Sequence, residues 1–235
     1  MENEFEKKLQ AWLEDVAITC DKYAREIDRD FYPFQSNVFE NPELLIIGAN
    51  PGNEEDYKSF IEKNKRGRLA SELSNCGENG ENAYIAYKDD PKWKINKPIL
   101  KMFETPKMRT ILENAVIMNV VYFNTVKVED LKTYNSGGEI IKACVDFTYE
   151  FVYNILKPKN ILLLGEAAPK WMKISYNYKN DTILWNKSNQ WLIQNKMVNQ
   201  IPHYKIYHPS MNFAFNSGEN LRLKKEKFEL IFGAI

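Results

Sequence analysis

Cysteine is scarce in this 235-residue chain: Cys20, Cys76 and Cys144 stand far apart. They contain no CxxC pair for a metal motif, no paired disulfide framework, and too few thiols for a four-cysteine iron-sulfur cluster. Histidine is scarcer still, with His203 and His208 alone, which leaves little material for a catalytic triad. Long apolar runs are missing. No stretch reaches the roughly 20 residues needed to cross a bilayer, and the charged start MENEFEKKLQAW has no apolar signal core. A reduced, cytoplasmic setting is expected. Net charge is missing too, because 32 Lys and Arg balance 32 Asp and Glu. Any nucleic-acid binding must then come from a local patch rather than from the field of the whole molecule. The phosphate-cradling patterns GxxxxGK and GxGxxG are absent, which counts against a nucleotide triphosphatase and a dinucleotide oxidoreductase. No GxSxG elbow surrounds Ser210.

What is present reads as one α/β domain spanning residues 1–235. Phe5, Leu9, Trp12, Val16, Cys20, Tyr23 and Ile27 recur at steps of three and four, the stripe of an amphipathic helix. Four apolar runs follow: Leu44 to Ile47, Val116 to Tyr122, Ile161 to Leu164, and a weaker one from Tyr204 to Tyr207. Their hydrophobicity is continuous rather than alternating, so the strands are predicted to be covered on both faces, as in a parallel sheet with helical crossovers. A helical face from Ile141 to Ile155 halts before Pro158, and Leu221 to Ile231 forms a last helix. The predicted architecture is a three-layer α/β/α sandwich around a central, mainly parallel four-stranded sheet. Residues 57–108, polar and loop-rich, and residues 176–200, a hairpin or flap with exposed aromatics, read as insertions at the sheet edge or rim.

Ligands of open parallel sheets sit at the carboxyl ends of strands. Four stretches occupy those places: GANPG (Gly48 to Gly52), MNVVYFNT (Met118 to Thr125), GEAAP (Gly165 to Pro169) and HPSMNF (His208 to Phe213). Singly, each has an ordinary explanation. Pro-Gly after a strand is usually a turn, a histidine before proline is more often structural, Asn119 can simply bridge the sheet, and Lys63 to Arg68 reads first as a solvated loop. Their joint placement on one sheet edge is what lifts the functional reading.

A first strand ending in GxNPG, a second ending in an Asn-bearing stretch, a third ending in LLLG and a last ending in HPS together resemble the uracil-DNA glycosylase superfamily. GANPG is similar to the loop of the mismatch-specific and single-strand-selective branches, and HPS to that of the single-strand-selective and classical branches. Met211 stands where proline commonly follows HPS. The resemblance implies a monofunctional DNA glycosylase that hydrolyses the bond between deoxyribose and uracil or a related modified pyrimidine, as in base-excision DNA repair. It implies no metal or cofactor, with DNA as partner and a monomer as the acting form. Breaking that bond leaves an oxocarbenium-like sugar and an anionic base, so the site must position a water and stabilise charge on the departing base. On this reading Asn50 holds the water, with Glu54, Glu55 or Asp56 as unranked helpers, and His208 donates a hydrogen bond to the base carbonyl. Asn119 reads the pyrimidine edge, with Gly48 in the same base pocket, and Tyr57, Tyr84 or Tyr87 stacks on the base. Ser210 contacts a phosphate, Met211, Asn212 and Phe213 form the wedge that fills the vacated stack, and the basic cluster of Lys63, Lys65, Arg66 and Arg68 follows the backbone. Two alternatives stay open: a non-catalytic member of the fold that binds nucleic acid or a partner through its inserts, and a hydrolase of small nucleosides or nucleotides.

Overall fold

The computed structural model describes residues 3–52, 55–77, 80–91, 93–211 and 213–233. The predicted stripe becomes α1 (Glu4–Ile27), started by a capping box in which Asn3 accepts from the N–H of Phe5 and Glu6 accepts from the N–H of Asn3. Strand β1 (Leu45–Gly48) follows, and the long connection to β2 (Val116–Asn119) holds four short helices. These are α2 (Tyr57–Asn64), α3 (Ala83–Ala86), α4 (Asn96–Met102) and α5 (Pro106–Glu113). The crossover α6 (Gly137–Glu150) widens into a π-helical stretch through Leu156 and leads to β3 (Ile161–Leu164) and the short α7 (Ala167–Trp171). Strands β4 (Thr182–Trp185), β5 (Trp191–Val198) and β6 (Ile201–Ile206) precede the last helix, α8 (Gly218–Phe232).

The sheet has six strands, not four, in the order β2-β1-β3-β6-β5-β4. The four apolar runs form its parallel part, and the segment expected as a rim flap adds β5 and β4 antiparallel at the β6 edge. The reason is local. Asn199 and Gln200 both take positive φ, 48° and 65°, the geometry of a two-residue hairpin turn. That turn folds β5 back on β6 and satisfies backbone groups that an open edge would leave unpaired.

Alternate residues from Leu44 to Ile47, at and just before β1, serve two cores, which explains the unbroken apolar run. Leu45 and Ile47 pack with residues of α1 and α6, while Leu44 and Ile46 pack with residues of α4, α5 and α8. Helices therefore cover both faces, and the carboxyl edge of the sheet stays free for loops. Among the described residues, no helix is long and apolar enough to cross a membrane.

His203 belongs to this frame and not to the edge. Its ring on β6 is fully buried, with Nε2 2.9 Å from the Tyr153 hydroxyl and Nδ1 2.8 Å from the Ile201 carbonyl. Burial pushes its pKa down from 6.5 to about 4. The unfolded chain therefore takes up a proton that the native state refuses, and stability falls as pH drops through that window. Chemical denaturation is expected to show a loss of about 2–3 kcal/mol between neutral pH and pH 4.5 that His203→Gln reduces.

Candidate active site

Sheet order brings the strand-end residues into a row. Asn119 ends β2, Gly48 ends β1 and leads into Asn50, Gly165 follows β3, and His208 follows β6. Neighbouring strands lie about 4.8 Å apart, so the ends of β1 and β6, separated only by β3, are about 10 Å apart. Glycines permit the close approach of two of these side chains. A Cβ on Gly48 would sit 2.8 Å from Asn119 Oδ1, and Gly165, at φ 78°, would bring a Cβ to 3.0 Å from the Cβ of His208.

The GANPG loop leaves the sheet at Asn50. Pairing with the β2 side continues beyond Gly48, because the N–H groups of Val120 and Val121 donate to the carbonyls of Gly48 and Ala49 at 3.0 and 2.9 Å. The Asn50 amide nitrogen donates to the Thr125 carbonyl and, at 3.2 Å, to the Thr125 hydroxyl. Among the described residues nothing donates to Oδ1, so the half-buried amide presents an acceptor. Beside it, the Glu55 carboxylate accepts from Asn124 Nδ2 at 3.1 Å.

Asn119 is only 3% exposed, and its Nδ2 has no hydrogen-bond partner among the described residues. A buried donor left unmade costs about 1–3 kcal/mol, and Trp171 Nε1 and Asn195 Nδ2 share this state; Asn119 differs from them in standing at the carboxyl end of a parallel strand. Gly48→Ala is expected to displace this amide, since the new methyl has 2.8 Å where ordinary contact needs more than 3.4 Å. A shift of one ångström in a positioning group can slow a reaction about 100-fold, and single-turnover assays on the folded variant would measure it.

His208 is held by its own loop. Burial lowers the imidazole pKa, and Nδ1 lies 2.9 Å from the Ser210 hydroxyl. Either group can donate in this contact; in the tautomer where the Ser210 hydroxyl donates to Nδ1, the neutral ring carries its proton on Nε2. Ser210 is exposed and its hydroxyl lies against His208. The backbone around it is braced as well: Met211 N–H and Asn216 Nδ2 both donate to the His208 carbonyl, at 3.0 and 2.9 Å, and Asn216 Nδ2 also donates to the Met211 carbonyl at 2.8 Å.

Behind Asn216 stands Lys224, a fully buried lysine of α8 that donates to Asn216 Oδ1. Burial pushes its pKa from 10.5 down to about 7. Below that value the native state carries a desolvated ammonium, and stability lost to it returns as pH rises from 7 towards 10.5. Lys224→Met is therefore expected to be more stable than the wild type at pH 6 by about 1–2 kcal/mol, with the gain shrinking at alkaline pH in calorimetric melts. Sequence periodicity offered no sign of this residue, because a lysine within an amphipathic helix reads as solvated.

Several predicted site residues lie elsewhere. Tyr57 is buried in the core, packed against Phe31 and stacked on Phe60, with its hydroxyl donating to Asp21 at 2.6 Å and accepting from the Arg68 N–H at 2.9 Å. It cannot stack on a base without leaving that core. Tyr84 is buried in the opposite core, and Tyr87 stacks on Trp93 with ring centres 4.8 Å apart. Arg66 makes a two-pronged pair with Glu72 at 2.6 and 2.8 Å, and Arg68 is paired with Asp30. Within the basic cluster Lys63, Lys65 and Arg66 are exposed, with Arg66 shared with Glu72. Asp56 caps α2 by accepting from the Ser59 N–H at 2.7 Å. Glu54 and Asn212 fall outside the described residues.

The wedge segment is exposed, with Met211 at 61% and Phe213 at 82%. Next to it runs a ring stack that sequence reading missed: Trp191 lies 3.9 Å from Tyr207, and Tyr207 4.0 Å from Phe215. Three separate elements supply those rings, so only folding assembles them. Among the described residues, no three His, Cys, Asp or Glu side chains gather to hold a metal ion.

The chain is a mixed α/β protein with a six-stranded, mostly parallel sheet that carries amides and an imidazole at its carboxyl edge. No family model matches the chain, and no curated protein matches it in sequence.

Proposed function

We propose that this protein is a monofunctional DNA glycosylase of the uracil-DNA glycosylase type, acting on uracil or a related modified pyrimidine. The observation that carries the reading is the buried, unpartnered Asn119 amide at the end of β2, with β1 and its Asn50 loop on the neighbouring strand and His208 at the end of β6, three strand spacings away. A pyrimidine edge alternates acceptors and donors, and an amide matches it side by side. The base must first leave the stack. Exposed Phe213 and Met211 then fill the gap while the extruded base meets Asn119.

Cleavage follows from position and charge. As the C1′–N1 bond breaks, its electron pair stays on the base, and Nε2–H of His208 donates to the carbonyl oxygen where that charge collects. A water accepted by Asn50 Oδ1 bonds to C1′ from the other side and loses a proton to solvent. An amide is a weak base, so the rate depends on holding the water in line and on stabilising the leaving group. The test is incubation with oligonucleotides bearing uracil or modified pyrimidines, then alkali. Strand breakage at the substituted position is expected. Intact strands for every base tried would end the glycosylase reading.

A further inference from the structure

A cleft of about 470 Å³ opens beside Phe213, where the insertion helix α4 packs on α8. Its walls are largely apolar: Phe213, Pro98, Leu221 and the aliphatic stems of lysines. That volume falls within the about 300–1,000 Å³ of sites that bury a small organic ligand. The charges at its mouth are unequal in their commitments. Arg222 is paired with Glu219 and Glu226, and Lys225 with Glu104 and, at 3.9 Å, with Glu229. Lys97 and Lys101, one turn apart on α4 and both exposed, have no ion-pair partner among the described residues. An apolar slot with an exposed aromatic wall suits the face of a base, and the ammonium groups of Lys97 and of Lys101, the latter within the field of Glu104, suit phosphates at its rim. The cleft shares Phe213 and Asn216 with the loop that carries His208, which ties the two regions through one loop.

We infer that this cleft binds an unpaired nucleotide flanking the one that is extruded, with Phe213 and Leu221 against its base and Lys97 and Lys101 on its phosphates. The inference rests on the glycosylase reading for the location of the extruded base, but not for its test. It assigns the insertion a purpose: α4 turns an otherwise bare face of α8 into a groove for single-stranded DNA. The chain thereby gains the local positive patch that its balanced composition requires of any nucleic-acid binder.

The experiment is fluorescence anisotropy with labelled single-stranded oligonucleotides of about 5 and about 15 nucleotides lacking any modified base, since comparable single-strand sites span about 4–16 nucleotides. The wild type is expected to bind the longer strand more tightly. The double variant Lys97→Glu/Lys101→Glu, both changes on an exposed helix face, is expected to bind it at least about 10-fold more weakly. Its neutral counterpart Lys97→Gln/Lys101→Gln is expected to show a salt slope shallower by about 1.4, at about 0.7 per phosphate contact. Thermal melts superimposable on the wild type show that folding is intact. Equal affinity and equal salt slope would overturn the inference, as would a wild type that ignores the strand yet binds a glutamate-rich peptide through the same lysines. Loss of binding in a protein that releases no base would retain the groove and remove the glycosylase reading. Unchanged binding in an active enzyme would do the reverse.

Discussion

Asn50→Ala is expected to slow base release by about 100- to 1,000-fold while leaving affinity for DNA nearly unchanged. The amide is anchored through its nitrogen to Thr125, and only its oxygen faces the site, so truncation removes a water-holding acceptor and little contact area. Single-turnover kinetics on a substituted oligonucleotide, with anisotropy on the same strand, separates the two quantities. A comparable loss in binding and in rate would mean that Asn50 shapes the loop instead of holding a water. Thr125→Val should weaken the same step less, because the Thr125 carbonyl still accepts from the amide when the hydroxyl is gone.

His208→Ala is the second large effect, expected at about 100- to 1,000-fold in rate, the typical loss when one donor to a developing oxyanion is removed. Its pH dependence discriminates further. Burial disfavours the imidazolium, so the ring stays neutral below the ordinary histidine range. Base release should therefore show no inflection between about pH 6.5 and pH 8. A rate that climbs on acidification through that range would show that a charged ring does the chemistry and would contradict the neutral-donor mechanism. Ser210→Ala is the companion measurement. With no hydroxyl on Nδ1 the proton can move to that nitrogen, and the rate should fall while the fold is retained.

Much of the frame was legible in the sequence, for identifiable reasons. The α1 stripe and the four continuous apolar runs report burial, and burial is a property of composition at fixed spacing. The glycine, asparagine and histidine at the strand ends were readable because a parallel sheet exposes that edge by construction. The hairpin was harder to place. Its strands were visible as a flap, but a turn made by Asn199 and Gln200 lacks the glycine that usually marks such a turn. Nothing local to residues 182–198 said that they would pair with β6 and extend the sheet to six strands.

Side-chain partners were not legible at all. Tyr57 sits near the GANPG loop in sequence, yet the geometry of α2 turns its ring into the core and its hydroxyl onto Asp21. Arg66 and Arg68 read as a basic patch until Glu72 and Asp30 are found against them. Each error has one cause: a side chain's charge is written in the sequence, whereas its desolvation and its counter-ion are set by residues far along the chain.

Taken alone, the amino-acid order determined that apolar runs would make a sheet covered on both faces and that Asn50, Asn119 and His208 would stand at strand ends, because those outcomes follow from periodicity and from the chemistry of each residue. Only the tertiary structure decided which groups are free to act. Thr125 takes the nitrogen of Asn50 and leaves its oxygen, Asn119 keeps an unused donor, and Lys224 reaches through Asn216 to the His208 loop. Those facts depend on contacts between residues distant in the chain, and a hydrogen bond is fixed only once both partners have been brought to within about 3 Å.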